Sequence, residues 1–255
     1  RRHTRLYTVT GVLTCALPIL HFLSLSFILY KYILPKEVSM KITKPSVEII
    51  DMKDYDSMIK KIEKIGRVCY KSENNIKEGS AERFIAGILK RGHESVIEHE
   101  DITVRMVCDR GVTHEIVRHR IASYSQESTR YCNYSIDKFG NEITVIDLAS
   151  GFKYDLNDPV DQAKYKVWNE AMEAAEKYYF QMLELGATAQ EARSLLPNSL
   201  KTEIVITMNL RSWRNFFRLR CDSHAHPQMR EIAIMAFKVF KEKLPVFFSD
   251  MEYDF

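Results

Sequence analysis

The sequence predicts an α/β fold of the α+β kind, a mixed sheet with helices packed on it, from three observations. Apolar residues recur at steps of three and four through long stretches and at steps of two through short ones. Helix exceeds strand, and the strands are not regularly interleaved with helices, which argues against a doubly wound nucleotide-binding fold. Neither a GxGxxG nor a GxxxxGKS/T run occurs, so the dinucleotide fingerprint and the P-loop are both missing.

The elements follow in order. Val47–Met52 reads as a first strand, and an amphipathic helix runs from about Tyr55 to Cys69. Ser80 can cap a helix carrying Phe84, Ile85, Ile88 and Leu89, which Gly92 ends. Ile102, Val104 and Met106 alternate with Thr103 and Arg105, the pattern of a strand with one buried face. A helix from about Val112 to Arg120 and a short strand at Glu142–Ile146 come next. Pro159 opens the longest helix, to about Leu185; its apolar stripe is Val160, Ala163, Val167, Ala171, Ala175, Tyr178 and Met182, and Gly186 stops it. Glu203–Asn209 reads as a strand, and Leu210–Arg220 and Gln228–Leu244 as helices. Residues 40–255 hold no repeat or linker-like tract and are expected to form a single domain.

The charge is unevenly spread. Residues 1–39 carry five Lys/Arg and one acid; the remaining 216 residues hold 32 basic and 33 acidic side chains, so the net +3 of the chain belongs to its beginning. A body without excess positive charge is a poor nucleic-acid binder, because counterion release requires it. Residues 11–30 contain no Lys, Arg, Asp or Glu and follow Arg1, Arg2 and Arg5. Read literally they are a membrane anchor or uncleaved signal. Pro18 and His21 weaken that reading, and the first methionine is Met40. Residues 1–39 are therefore expected to be non-native or disordered, and membrane association only if residues 11–30 are native. The five cysteines show no CxxC and no short pairing, which fits a reducing compartment, the cytoplasm.

Three segments concentrate polar chemistry: RGHESVIEH (Arg91–His99), RHRIASYSQESTRY (Arg118–Tyr131) and NLRSWRNFFRLRCDSH (Asn209–His224). His114–Glu115 followed by His119 looks like a metalloprotease motif, but the five-residue spacing turns the rings about 140° apart on a helix. No metal site is expected. Arg118, His119 and Arg120, followed by Ser123, Ser125, Gln126, Ser128 and Arg130, gather guanidinium forks, hydroxyls and an amide on one loop, a set suited to phosphate oxygens. The alternative is a solvated basic tip. On the Leu210–Arg220 helix, Arg211, Arg214 and Arg218 share one face, whereas Arg220 lies almost above Trp213, on the aromatic side with Phe216 and Phe217. An arginine there must meet an anion or a buried acceptor, and the bland candidate is a salt bridge, to Asp222 for instance.

With these residues in place, RHRIASYSQESTRY resembles the RHRxxS signature of the flavin-dependent thymidylate synthases, here Arg118, His119, Arg120 and Ser123. GHESVIEH, ARSLLP and NLRSWRNFFRLR…SHAH stand in that family's order, and the likeness runs from about Val47 to the carboxyl end. The resemblance implies that fold and an enzyme that methylates deoxyuridine monophosphate (dUMP) at C5 to dTMP. Methylenetetrahydrofolate would supply the carbon and NADPH, through FAD, the hydride; a homotetramer would share its active sites between subunits. It implies that Ser95, Arg118, His119, Arg120, Asn209, Arg211 and Asn215 hold FAD, with Glu98 and Gln126 beside that site and His93 on the flavin–folate side. It places Ser128, Thr129, Arg130 and Arg193 on the nucleotide, chiefly its phosphate, with Arg118, Glu115 and Gln126 adjoining. Arg220 takes the place of the catalytic arginine beside the uracil ring, which favours the N3-ionised base.

Two positions depart from the pattern. Glu115 stands where many members have glutamine next to the nucleotide, and Gln126 where others have glutamate. The resemblance implies no enzyme nucleophile on the pyrimidine, and Cys132 and Cys221 lack an activating partner in the sequence. Ser128 reads as a phosphate donor, since a nucleophilic serine needs an adjacent base. The alternatives are folate- and flavin-dependent methylation of uracil in RNA, disfavoured by the near-neutral body, and a non-catalytic nucleotide-binding protein.

Overall fold

The computed structural model describes residues 40–136 and 139–253. The apolar amino-terminal segment, on which the anchor and non-native readings rest, lies outside the described residues. No helix among the described residues is long and apolar enough to cross a membrane.

The sheet has four strands: β2 (Ser46–Asp51), β3 (Asp101–Asp109), β6 (Lys201–Asn209) and β4 (Ser123–Gln126), in the order β2-β3-β6-β4. All three pairings are antiparallel. A separate parallel pair joins β1 (Lys41–Thr43) to β5 (Thr144–Ile146). The centre is β3 against β6, in register from Asp101↔Asn209 to Asp109↔Lys201. Both strands alternate as their sequences require. Ile102, Val104, Met106, Ile204, Ile206 and Met208 are buried on one face. The other face is polar: Thr103 and Thr207 share a hydrogen bond, and Arg105 pairs with Glu203 and Glu48.

Nine helices among the described residues pack on the apolar face or beside the sheet. They are α1 (Tyr55–Tyr70), α2 (Ser80–Lys90), α3 (Arg110–Ile116), α4 (Leu148–Phe152), α5 (Pro159–Glu184), α6 (Ala189–Ala192), α7 (Leu210–Arg220), α8 (Pro227–Lys243) and α9 (Pro245–Phe248). One large apolar cluster joins α1, α2, α7 and α8 to the sheet. A second lies under α5 around Tyr134, Ile143, Val145, Tyr179 and Leu200. Gly92 and Gly186, read as helix stops, take positive φ of 74° and 90°, which an L side chain rarely adopts.

Four local expectations change. Gly79, not Ser80, is the residue before α2; Ser80 is its first residue, and its hydroxyl donates to Glu63 instead. The segment read as a polar loop contains the edge strand β4. The helix expected to reach Arg120 stops at Ile116, because its last carbonyls have other partners. Glu115 O accepts from the Arg220 guanidinium, and Tyr124 Oη donates to the carbonyls of Ile116 and His119. Residues 117–120 then leave the axis through short bonds from Arg118 N and His119 N to the carbonyls of Glu115 and Ile116.

The fourth change concerns α5. Most of the periodic apolar stripe faces outward: Val160 is 61%, Val167 67% and Tyr178 53% exposed, and Met182 alone of its larger side chains packs on the second cluster. The helix instead packs Trp168, Met172, Tyr179 and Phe180 inward, around a buried Glu176 whose carboxylate accepts from Ile143 N. Trp168 in its first half already packs there, with Nε1 donating to Ser199 Oγ, and the aromatic side wins over the alanine-rich one, which buries less apolar area per residue.

Candidate active site

Helix α7 fixes the site. Asn209 caps it by accepting from Ser212 N, and β6 feeds directly into it. Trp213, Phe216 and Phe217 are fully buried against Phe237, Phe240 and Phe248, and Trp213 Nε1 donates to Ile102 O. Burying each such ring contributes about 1.5–3 kcal/mol, enough to hold the helix while its polar flank carries charge. That flank faces the residues after α3 and the 3-10 turn Glu94–His99.

Between them lies a cleft of about 650 Å3 lined by Glu94, Glu98, Arg118, His119, Arg120, Ile121, Asn209, Arg211, Ser212, Asn215 and Arg218. Seven residues assigned to FAD from the sequence therefore meet in one place: Glu98, Arg118, His119, Arg120, Asn209, Arg211 and Asn215. Glu94, Ile121, Ser212 and Arg218 line it too and are not among the residues the sequence assigns to a ligand. Arg218 was visible as the third arginine of its helix face, and Glu94 stood inside the GHESVIEH segment; Ser212 had no signal of its own.

The guanidinium groups in the cleft differ in what they already hold. Those of Arg118 and Arg120 are exposed and form no ion pair among the described residues. Arg211 pairs with Glu98, both about half exposed, and Arg218 with Glu94. With Asn215 and the amino-terminal end of an eleven-residue helix, this donor set suits an anionic ligand. FAD fits by that chemistry: its diphosphate would meet Arg118, Arg120 and the start of α7, while Asn209 has its oxygen committed to the cap.

His119 joins the cleft to Arg220. Its ring is 8% exposed and packs on Phe216 at 4.9 Å between centroids. Burial, with the Arg220 charge beside it, holds its pKa down to about 4, so the imidazole is neutral at pH 7. Nε2 accepts from Arg220 Nε at 3.0 Å. The Arg220 guanidinium also donates to Glu115 Oε2 at 2.7 Å and to Glu115 O at 3.0 Å. The sequence required that an arginine on this face meet an acceptor; the partner is Glu115, whereas Asp222 binds its own neighbour His224.

The other assigned residues lie apart. Ser128, Thr129 and Arg130 follow β4 at the end opposite Arg120, across roughly 13 Å of strand. Arg130 Nε donates to Gln190 of α6 at 3.3 Å, which brings it into the neighbourhood of Arg193, at the end of that helix. Thr129 is buried; Arg130 and Arg193 are exposed. Gln126 turns from the cleft to donate to Thr113 Oγ1. Ser95 is exposed on the 3-10 turn without lining the cleft, and His93 Nδ1 is 2.6 Å from Tyr70 Oη. One chain thus presents an arginine-lined cleft and, apart from it, the cluster of Ser128, Thr129, Arg130 and Arg193.

Residues 51–246 match the family described as Thymidylate synthase complementing protein. The chain is 32% identical over 191 residues to the flavin-dependent thymidylate synthase of Geobacter sulfurreducens, covering 72% of this chain and 78% of that one. It is 37% identical over 163 residues to the enzyme of that name from Pyrococcus furiosus, covering 64% and 63%. To that from Corynebacterium diphtheriae it is 32% identical over 198 residues, covering 75% and 78%. An arginine-lined cleft at the RHR loop and a family match over most of the chain agree: this chain belongs to the thymidylate synthase complementing proteins, the family of the flavin-dependent thymidylate synthases.

Proposed function

We propose that the chain methylates dUMP to dTMP, with methylenetetrahydrofolate as carbon donor and NADPH as hydride source through FAD. The observation that carries this reading is the cleft in which Arg118, His119, Arg120, Arg211 and Asn215 meet, with Arg220 bonded to its back wall through His119. When bound, FAD supplies the hydride relay between NADPH and the folate-derived carbon. The chain's own work is placement and electrostatics. Arg118 and Arg120 hold the diphosphate link, and Ser128, Arg130 and Arg193 the nucleotide phosphate. Arg220 places a permanent positive charge beside the pyrimidine and favours its N3-ionised form. His119, neutral at working pH, adds no second charge there and keeps the Arg220 fork oriented.

Two features support a homotetramer with active sites shared between subunits. The phosphate-type cluster and the cleft are separate within one chain, and α5 exposes an apolar stripe larger than a lone surface residue would explain. The scattered cysteines fit a cytoplasmic setting.

The test is direct. Purified protein should be yellow with bound FAD and should release tritium from C5-labelled dUMP when folate donor and NADPH are supplied. Arg220→Ala should retain FAD and lose turnover by about 100-fold or more. Protein that binds no flavin, or an Arg220→Ala variant of near-normal turnover, would exclude the assignment.

A further inference from the structure

The contacts of Arg220 raise a question that the proposed reaction leaves open. A guanidinium has five N–H donors in a rigid fork. Here three are already spent, on His119 Nε2, Glu115 Oε2 and Glu115 O. The carboxylate contact is a close ion pair in a sheltered place, with side chains 18% and 33% exposed for Arg220 and Glu115. The charge that should favour an ionised pyrimidine is therefore cancelled at its source. Arg118 and Arg120, a few residues after Glu115 in the chain, have no such partner among the described residues.

We propose that Glu115 is a built-in counter-ion of Arg220, an anion supplied by the chain that the nucleotide must displace before the arginine can act on the pyrimidine. This rests on the assignment of Arg220 to the nucleotide made above. The backbone explains how displacement can happen without unravelling the site. Glu115 O and His119 hold Nη2 and Nε whatever the carboxylate does, so the fork stays aimed while Glu115 Oε2 swings out through its open side. A glutamine in this place would have the same length but no charge. It would orient the arginine without neutralising it. Glutamate thus changes an orienting contact into a competing one, and at the reduced dielectric of a half-buried site the competition is stronger than in water.

The experiment is calorimetric titration of the FAD-loaded protein with dUMP, comparing wild type, Glu115→Gln and Glu115→Asp, each also in an Arg220→Ala background. Glu115→Gln should bind dUMP about tenfold tighter or better, Glu115→Asp should stay near wild type, and the gain should vanish without Arg220. Affinity in Glu115→Gln equal to or weaker than wild type would overturn the counter-ion role and make Glu115 an ordinary positioning partner. A gain that persists in the Arg220→Ala background would overturn it too, since the carboxylate would then repel the nucleotide directly. If FAD stays bound but neither wild type nor Glu115→Gln binds dUMP, the nucleotide assignment fails and the counter-ion role fails with it.

Discussion

Helix α7 carries two arginines whose surroundings are nearly opposite, Arg214 on the carboxyl-terminal side of the molecule and Arg118's neighbour Arg211 on the cleft. Arg214 is 3% exposed and spends four of its five N–H donors inside the protein. It bonds Asp250 through Nη1 and Nη2 at 2.8 and 2.7 Å, Glu94 through Nε at 3.1 Å, and the carbonyl of Phe247. Arg211 is half exposed, makes one ion pair with Glu98 and points into open space with Arg118 and Arg120. The chemistry of the side chain is identical. What separates a fastener from a ligand is burial and the count of donors left unspent, and neither can be read from spacing along a helix.

The largest effect expected is on the fastener. Arg214 ties α7, the 3-10 turn that carries Glu98, and the carboxyl-terminal segment after α9 into one unit. Arg214→Ala would leave the carbonyl of Phe247 and the carboxylate of Asp250 without this donor, and Glu94 with Arg218 alone. A loss of about 3 kcal/mol is expected, at the low end for a broken buried pair because Asp250 is half exposed. Urea unfolding measures it. The acid side sharpens the point. Burial works against the Glu94 carboxylate, but Arg218 and Arg214 outweigh it and lower its pKa; the Arg214 hydrogen bond lowers that of Asp250. Both groups contribute stability above the ordinary carboxylate range and lose it as pH falls through their depressed values. Wild type should therefore lose more stability on acidification than Arg214→Ala.

Next comes the residue between the two regions. His119 is buried like Arg214 yet belongs to the cleft, and its pKa is held at about 4. The unfolded chain takes up a proton near pH 6.5 and the folded one does not, so the unfolded state binds more protons between about 4 and 6.5. Stability should be complete above that window and fall through it by at most about 3 kcal/mol. His119→Gln, which keeps an acceptor for Arg220 without titrating, should flatten that part of the profile. Identical slopes in the two proteins would show that the ring is charged in the folded state.

The same contrast explains what the sequence could and could not disclose. The paired strands β3 and β6, the start of α7 and the glycine stops were legible because each follows from a local period or a backbone requirement. The grouping of Arg118, Arg120 and Arg211 was legible through the family motif. The outward face of α5 was not, because a 26-residue helix offers two apolar stripes and only tertiary contact selects one. Nor was the early end of α3, where Tyr124 and Arg220 take the carbonyls that would have continued the helix. Spacing showed that Arg220 needed an acceptor and could not say which; Glu115 is 105 residues away.

On the ligand side the effect should move to binding and leave the fold alone. Arg118→Ala removes an exposed guanidinium with no internal ion pair, so unfolding free energy should change by no more than about 0.5 kcal/mol. FAD affinity, read by flavin fluorescence, should fall about tenfold to a hundredfold, the worth of one or two charge-assisted hydrogen bonds to a phosphate. A variant that unfolds readily but retains flavin would reverse the assignment of the two regions.

The smallest effect is expected at Cys221, which immediately follows Arg220 and is the thiol nearest the proposed chemistry in sequence. It is 1% exposed, and burial pushes its pKa up to about 12 despite the Arg230 charge. Its carbonyl accepts from Arg230 Nε, so its place in the fold is fixed through the backbone and not through sulfur. A thiol in that state has almost no thiolate at pH 7 and cannot add to a pyrimidine carbon. Cys221→Ala should cost about 1 kcal/mol of packing and leave tritium release from dUMP close to wild type. Complete inactivation with FAD still bound would mean that sulfur forms a bond to the nucleotide, and the purely electrostatic role given to its neighbour Arg220 would have to be abandoned.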